Sequence, residues 1–233
     1  MLDPDRHPAV GLGGAIRRHP SGVLLVAQLL AVLAYPFADN NALGRALLGV
    51  VGTAVVIIAL WAVRRTPALG WVAGLLGGPA LVCTVLEAFF PDNEAITLVS
   101  ALLHAPFYFY VSYGMIRYLF HDDRVTTDEL YATGAAFTVV AWGFAYVFTA
   151  CQVVWSGSFV GASGDETHTF FDLLFLSFTN LTSVGLSDIL PALGHARSFV
   201  VVEQVVGVLY VALVVARLVG LTVARSARQD REG

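Results

Sequence analysis

The sequence contains no lysine: its thirteen basic residues are all arginine, and only 13% of the chain is charged. An ordinary soluble domain carries about 25% charge, whereas here 57% of residues are apolar and the mean hydropathy is +0.74. Such a chain belongs in a lipid bilayer. Seventeen acidic residues bring the formal charge to -4, so there is no basic tract large enough to take nucleic acid as a partner. Cysteine is scarce too. Cys83 and Cys151 both fall in apolar runs, where small buried hydrophobes are expected rather than a disulfide or a metal pair. The sequence has no His-x-x-x-His pair, nucleophile elbow or Ser/His/Asp order, which argues against an enzyme; no cofactor is expected. No small-residue cleavage site follows Arg17 and Arg18, so the first apolar run is expected to stay in the mature chain.

A membrane span needs roughly 20 predominantly apolar residues. Six stretches qualify: Ser21 to Phe37, Ala42 to Val63, Ala68 to Phe90, Ala95 to Phe120, Leu130 to Trp155 and Ser198 to Val223. Arg6, Arg17, Arg18, Arg64, Arg65, Arg117, Arg124, Arg217, Arg225, Arg228 and Arg231 then share one side, leaving only Arg45 and Arg197 on the other. By the positive-inside rule both termini are cytoplasmic, in a multi-pass protein of the cell's inner (plasma) membrane. The outward connections are acidic, with Asp39, Asp92, Glu94, Asp165, Glu166, Asp172 and Asp188, and would raise the local cation concentration. Gly70, Gly74 and Gly78 form a small-residue face in the third span, expected to permit close helix packing. Pro79 and Pro106 are expected to kink their helices. His104 and Glu87 are ionisable groups within spans; His104 is the deeper, with either a sensing role or helix packing open to it. No span carries the arginine series a voltage sensor requires.

Between the fifth and sixth spans, Phe170 to Leu181 reads FFDLLFLSFTNL. These residues predict a helix about 18 Å long, which can enter the membrane only partway. The chain must then turn back through Thr182-Ser183-Val184-Gly185-Leu186-Ser187-Asp188, and irregular backbone at membrane depth survives only in protein or along water. Hydroxyl residues, a glycine and small neighbours allow successive backbone carbonyls to face an axis and replace the hydration shell of a cation. The carbonyl end of the half-helix, the negative end of its dipole, favours a cation at the same depth. One such strand cannot surround an ion, so an oligomer is required.

Thr182 to Asp188, TSVGLSD, resembles the TTVGYGD filter signature of the tetrameric potassium-channel superfamily, with a pore helix before it and a pore-lining helix after it. The resemblance runs from about Thr127 to Ala224 and is strongest from Phe171 to Gly220. It implies an all-α membrane protein of six transmembrane helices, with a re-entrant pore helix and filter between helices five and six, assembled as a homotetramer. The filter would be Thr182, Ser183, Val184, Gly185, Leu186 and Ser187, with potassium held at Ser183, Val184, Gly185 and Leu186 and the Ser183 hydroxyl as the innermost ligand. Thr179, Asn180 and Asp188 would support the filter or line its outer mouth, and Gly207 would be the inner-helix hinge. The implied organisation is a cytoplasmic tail (1–20), a four-helix membrane domain without sensor arginines (21–120), a cytoplasmic linker (121–129), a pore domain (130–223) and a second tail (224–233).

The implied function is a passive transmembrane cation channel conducting potassium. Two departures bear on it: Leu186 stands at the usual aromatic and Ser187 at the second glycine. A serine forced into a glycine-type conformation would be strained, and the alternative is therefore a weakly selective channel for sodium and potassium. A non-conducting scaffold is more remote, and a carrier is disfavoured because only one re-entrant segment occurs. Val211, Val215 and Val219 recur at a helical interval and are a candidate apolar gate; core packing predicts the same spacing. His168 and His195 flank the pore loop and could confer proton sensitivity.

Overall fold

A computed structural model describes residues 19–38, 43–44, 50, 52–53, 67–120, 127–162, 164 and 167–232. The second expected span lies mostly outside them, as do both ends of the N-terminal tail's arginine run, Asp39, Arg45, Asp165 and Glu166. In chain order the elements are α1 (Pro20–Ala38), α2 (Pro67–Phe89), α3 (Glu94–Leu119), α4 (Thr127–Val154), β1 (Phe159–Gly161), α5 (Phe170–Leu181), β2 (Ile189–Pro191) and α6 (Gly194–Glu232). Among the described residues, three helices are long and apolar enough to cross a membrane: Glu94–Arg117, Thr127–Val154 and Gly194–Arg217. Ser21–Phe37, Gly74–Phe89 and Phe170–Leu181 are apolar but shorter. The chain is a multi-pass membrane protein whose lipid-facing helices satisfy their own backbone polar groups.

Helix α4 is the hub. Its residues from Ala132 to Phe148 are almost continuously buried, because α1, α3, α5 and α6 all pack against it. Small residues let them approach: a side chain at Gly143 would meet the Phe109 ring of α3, and one at Gly134 would meet Leu25 of α1. The expected small face on α2 is different, since among the described residues no atom lies near enough to touch a side chain added at Gly74 or Gly78. Large rings fill the α3–α4 interface, where Tyr108, Trp142 and Tyr146 pack together. His104 stacks on Tyr146 at 4.4 Å between ring centroids. Its Nδ1 reaches the Ser100 carbonyl of its own helix at 2.9 Å, while its Nε2 reaches the Thr84 hydroxyl of α2 at 3.2 Å, so the ring joins α3 to α2 by that bond and to α4 by stacking. Helices α2 and α3 run uninterrupted through Pro79 and Pro106.

Polar contacts fix the remaining helices. The Ser21 amide and hydroxyl both donate to the Asp128 carboxylate, at 3.1 and 2.9 Å, joining the start of α1 to the first turn of α4. Further along α6 from the 182–188 turn, Arg217 pairs with Glu129 of α4 at 3.5 Å and lies over the Phe120 ring. The Tyr210 hydroxyl donates to the Thr133 carbonyl of the same helix. Helix α6 is longer than hydropathy alone marks out, extending to Glu232 through the expected tail. Hydropathy locates the membrane boundary, whereas a helix ends only where the backbone meets a breaker, and Ala224 to Glu232 contains neither glycine nor proline.

The fold is helical as expected, with one short addition. Strands β1 and β2 form an antiparallel ribbon with Phe159 opposite Pro191, Val160 opposite Leu190 and Gly161 opposite Ile189. Phe159 and Ile189 are buried in the cluster beneath the short helix, with Phe148, Leu173 and Leu176. The ribbon thus ties the chain leaving the 182–188 turn to the chain leaving α4.

Candidate ion-conduction site

The short helix α5 has a built start. Thr169 and Asp172 form a capping box: Asp172 Oδ2 accepts from the Thr169 amide at 2.9 Å and hydroxyl at 2.8 Å, while the Asp172 amide donates to the Thr169 hydroxyl. Asp172 is therefore a helix-capping carboxylate, where the sequence placed it simply among the acidic groups of the outer segment. Just before it, Gln152 of α4 makes two bonds to the backbone of His168, accepting from its amide at 2.9 Å and donating to its carbonyl at 3.1 Å. Gln152→Ala is expected to lower stability by about 2 kcal/mol, at about 1 kcal/mol per hydrogen bond, and a lower thermal midpoint of the purified protein would report it. The second loop histidine, His195, stacks on Trp155 at 4.2 Å.

The far end of α5 carries the filter motif. Thr182 caps the helix, its hydroxyl donating to the Phe178 carbonyl at 2.7 Å. The next three amides all turn back: Ser183 donates to the Asn180 carbonyl at 2.9 Å, and Val184 and Gly185 both donate to the Thr179 carbonyl at 3.0 and 2.9 Å. These bonds satisfy carbonyls that a helix C-terminus otherwise leaves orphaned. The backbone achieves this by alternating handedness, with Ser183 at φ 60° and Gly185 at φ 66°; alternation of this kind gathers successive N–H groups on one side. Among the described residues, no donor reaches the carbonyls of Ser183, Val184, Gly185 or Leu186. A row of free acceptors and a row of satisfied donors therefore lie along one short segment.

Thr182 to Leu186 form a continuous exposed strip on the chain, with Val184 67% and Leu186 74% exposed. Thr179 and Asn180 are buried behind it. Thr179 supports the motif through its carbonyl, and its hydroxyl donates to Leu176 at 2.8 Å. Asp188 is exposed and bonds to no described residue. Gly207 of α6 packs directly on the end of α5: a side chain there would overlap the Leu181 carbonyl. Val211, Val215 and Val219 lie further along α6, each more than half exposed.

Ser187 corrects the sequence reading. Ser183 is the one non-glycine residue with positive φ among the described residues, so the strain expected at the serine replacing a glycine falls four residues earlier. Ser187 sits in a conformation open to any residue, and its hydroxyl accepts from the Ile189 amide at 3.1 Å. Ser187→Gly is accordingly expected to leave ion selectivity unchanged, measured as the reversal potential between sodium and potassium solutions.

One group escaped the sequence reading altogether. Glu203 of α6 is fully buried, and its carboxyl meets the Ser177 hydroxyl of α5. The same hydroxyl lies 2.8 Å from the Ala141 carbonyl of α4. A carboxylate one helical turn before Gly207, in an otherwise apolar span, was the available signal.

Comparison with known proteins agrees with this geometry. The chain is 32% identical over 100 residues to Protein LctB of Bacillus caldotenax, an alignment covering 41% of this chain and 74% of that protein. No solved structure matches it. A family described as ion channel matches residues 96–224, more than half of the sequence and all of the elements from α4 through the 182–188 turn and α6 as far as Ala224. The chain belongs to this ion channel family, and so to the potassium-channel superfamily.

Proposed function

We propose that the protein is a passive potassium channel in which four copies surround the strip from Thr182 to Ser187. The observation that carries this reading is the split at the end of α5: the amides of Ser183, Val184 and Gly185 are bonded back into the helix, while the carbonyls of Ser183 to Leu186 accept nothing from the described residues. Free carbonyls at closely spaced positions are the ligands a dehydrated potassium ion requires. The ion sites are the carbonyls of Ser183, Val184, Gly185 and Leu186, with the Ser183 hydroxyl innermost. Sodium is the competing permeant ion.

Chemistry supports four-fold assembly, as does the family resemblance. One strip offers ligands on one side of an ion only. Its apolar neighbours Val184 and Leu186 are also exposed on the single chain, and burial against adjacent copies would remove them from water and from the ion path. In this reading α5 re-enters the membrane from outside, the six spans place both termini in the cytoplasm, and the membrane is the cell's inner membrane. Asp188 holds the outer mouth negative. Residues 21–120 form a four-helix domain beside a pore domain of residues 130–223, joined by a linker over 121–129 and flanked by tails over 1–20 and 224–233. Val211, Val215 and Val219 line an apolar constriction that gates by dewetting.

Liposomes containing the purified protein test the reading. Potassium flux down its gradient, with a reversal potential near the potassium equilibrium value in mixed sodium and potassium, is the expected result. Equal permeation of both ions would replace it with a weakly selective cation channel. No flux, under conditions where a control channel conducts, would overturn it in favour of a non-conducting membrane protein.

A further inference from the structure

Glu203, Ser177 and the Ala141 carbonyl join three helices immediately behind the filter. Glu203 is on α6, Ser177 on α5 and Ala141 on α4. Ser177 precedes Thr179, whose carbonyl receives the Val184 and Gly185 amides, by only two residues. Any shift of Ser177 therefore moves the residue on which the filter amides hang. Glu203 in turn lies one helical turn before Gly207, which seats α6 against the Leu181 carbonyl.

Counting protons identifies the form of the carboxyl. The Ser177 hydroxyl has one hydrogen, yet its oxygen is in hydrogen-bond contact with two others. A backbone carbonyl can only accept, so with the serine hydrogen on Ala141 the serine oxygen is left to accept from Glu203. A carboxylate would have to share that single hydrogen with the Ala141 carbonyl. The surroundings agree. The side chains facing the carboxyl from α5 are Ser177 and Asn180, neither of them charged. The Asn180 amide faces the carboxyl, yet among the described residues neither its nitrogen nor the second carboxyl oxygen closes a hydrogen bond of good geometry. A buried, uncompensated negative charge would be far more costly than a neutral acid with one idle oxygen.

We propose that Glu203 is a positioning residue for ion conduction, held as a neutral carboxylic acid that donates to Ser177 and completes a hydrogen-bond chain from α6 through α5 to α4 behind the filter. The proposal rests on the filter reading above for its effect on conduction, but not for the protonation of the acid. Glu203→Gln keeps a donor of the same shape that never ionises; Glu203→Leu keeps the volume and loses the donor; Ser177→Ala removes the middle link.

The test combines flux in liposomes, thermal stability in detergent and infrared spectroscopy at neutral pH. In the infrared, the wild type is expected to show a protonated carboxyl C=O stretch that Glu203→Gln abolishes. Glu203→Gln should keep potassium flux within about twofold of wild type, while Glu203→Leu and Ser177→Ala each reduce it by about tenfold or more, with the double variant no worse than either single one. Equal loss in Glu203→Gln and Glu203→Leu, or wild-type flux in Glu203→Leu, would overturn the positioning role. Absence of the infrared band in folded wild type would overturn the neutral acid. If the wild type itself fails to conduct, the channel reading falls, and the infrared band with the stability cycle between Glu203→Leu and Ser177→Ala still decides the hydrogen-bond chain: additive losses of stability would reject it.

Discussion

Gly185→Ala is expected to abolish ion flux while leaving the protein folded. Gly185 holds φ 66°, and its amide is one of three bonded back to the end of α5. An L-residue in this left-handed region costs roughly 1–2 kcal/mol, so an assembly of four alanine variants would carry about 4–8 kcal/mol of strain concentrated on one ring of ligands. Apart from its chain neighbours, none of the described residues lies within 4 Å of the added methyl group, so within the chain the cost is conformational and is relieved by rotating the backbone. That rotation withdraws the Gly185 amide from the Thr179 carbonyl and re-aims the carbonyls on either side. Ser183 cannot take up the change, since it already occupies the same strained region two residues away. Helical content and elution of the purified variant should match wild type, with potassium flux lost. Wild-type flux in Gly185→Ala would show that the carbonyls of this segment do not set the conduction path.

The parts of this arrangement that follow local rules were legible before the structure. The apolar run from Phe170 to Leu181 marks the bounds of α5 as observed, because its polar flanks fix both ends. The family match begins at residue 96, a helix earlier than the resemblance carried by the filter motif and inner helix. What stayed hidden depends on long-range packing or on dihedral angles. Strands β1 and β2 are three residues each, too short for an alternation to register. Ser187 stands at a position that holds glycine in the filter signature, but identity alone does not reveal φ; the left-handed residue is Ser183, directly after the helix cap Thr182, where glycine is common. The glycines at Gly74 and Gly78 share the spacing of a packing face, yet close contact occurs at Gly134 and Gly143, where α4 has neighbours on nearly every side. Glu203 was visible as a lone acid in an apolar span, but its partner Ser177 is 26 residues away, and only the fold brings them together.

Gly207→Ala is expected to destabilise the protein and to remove conduction, and its sign distinguishes two roles for this glycine. As a hinge in an otherwise open helix, glycine weakens the helix, and alanine should stabilise it by about 1 kcal/mol while altering only how the pore opens. As a contact site the effect reverses. The added methyl group would overlap the Leu181 carbonyl and crowd its carbonyl carbon, and overpacking of this kind costs about 1–3 kcal/mol per chain. The obstacle is main-chain, so shortening the neighbouring side chain cannot relieve it: Gly207→Ala combined with Leu181→Ala should be no more stable than Gly207→Ala alone. Either α6 moves outward or the end of α5 moves away from it, and the second motion carries Thr179 and the filter amides with it. A lower thermal midpoint with lost flux is the expected pair of results; a raised midpoint with flux retained would reject the packing role. The two glycines thus divide the work at the end of α5, Gly185 through a conformation that other residues resist and Gly207 through an approach that any side chain would block.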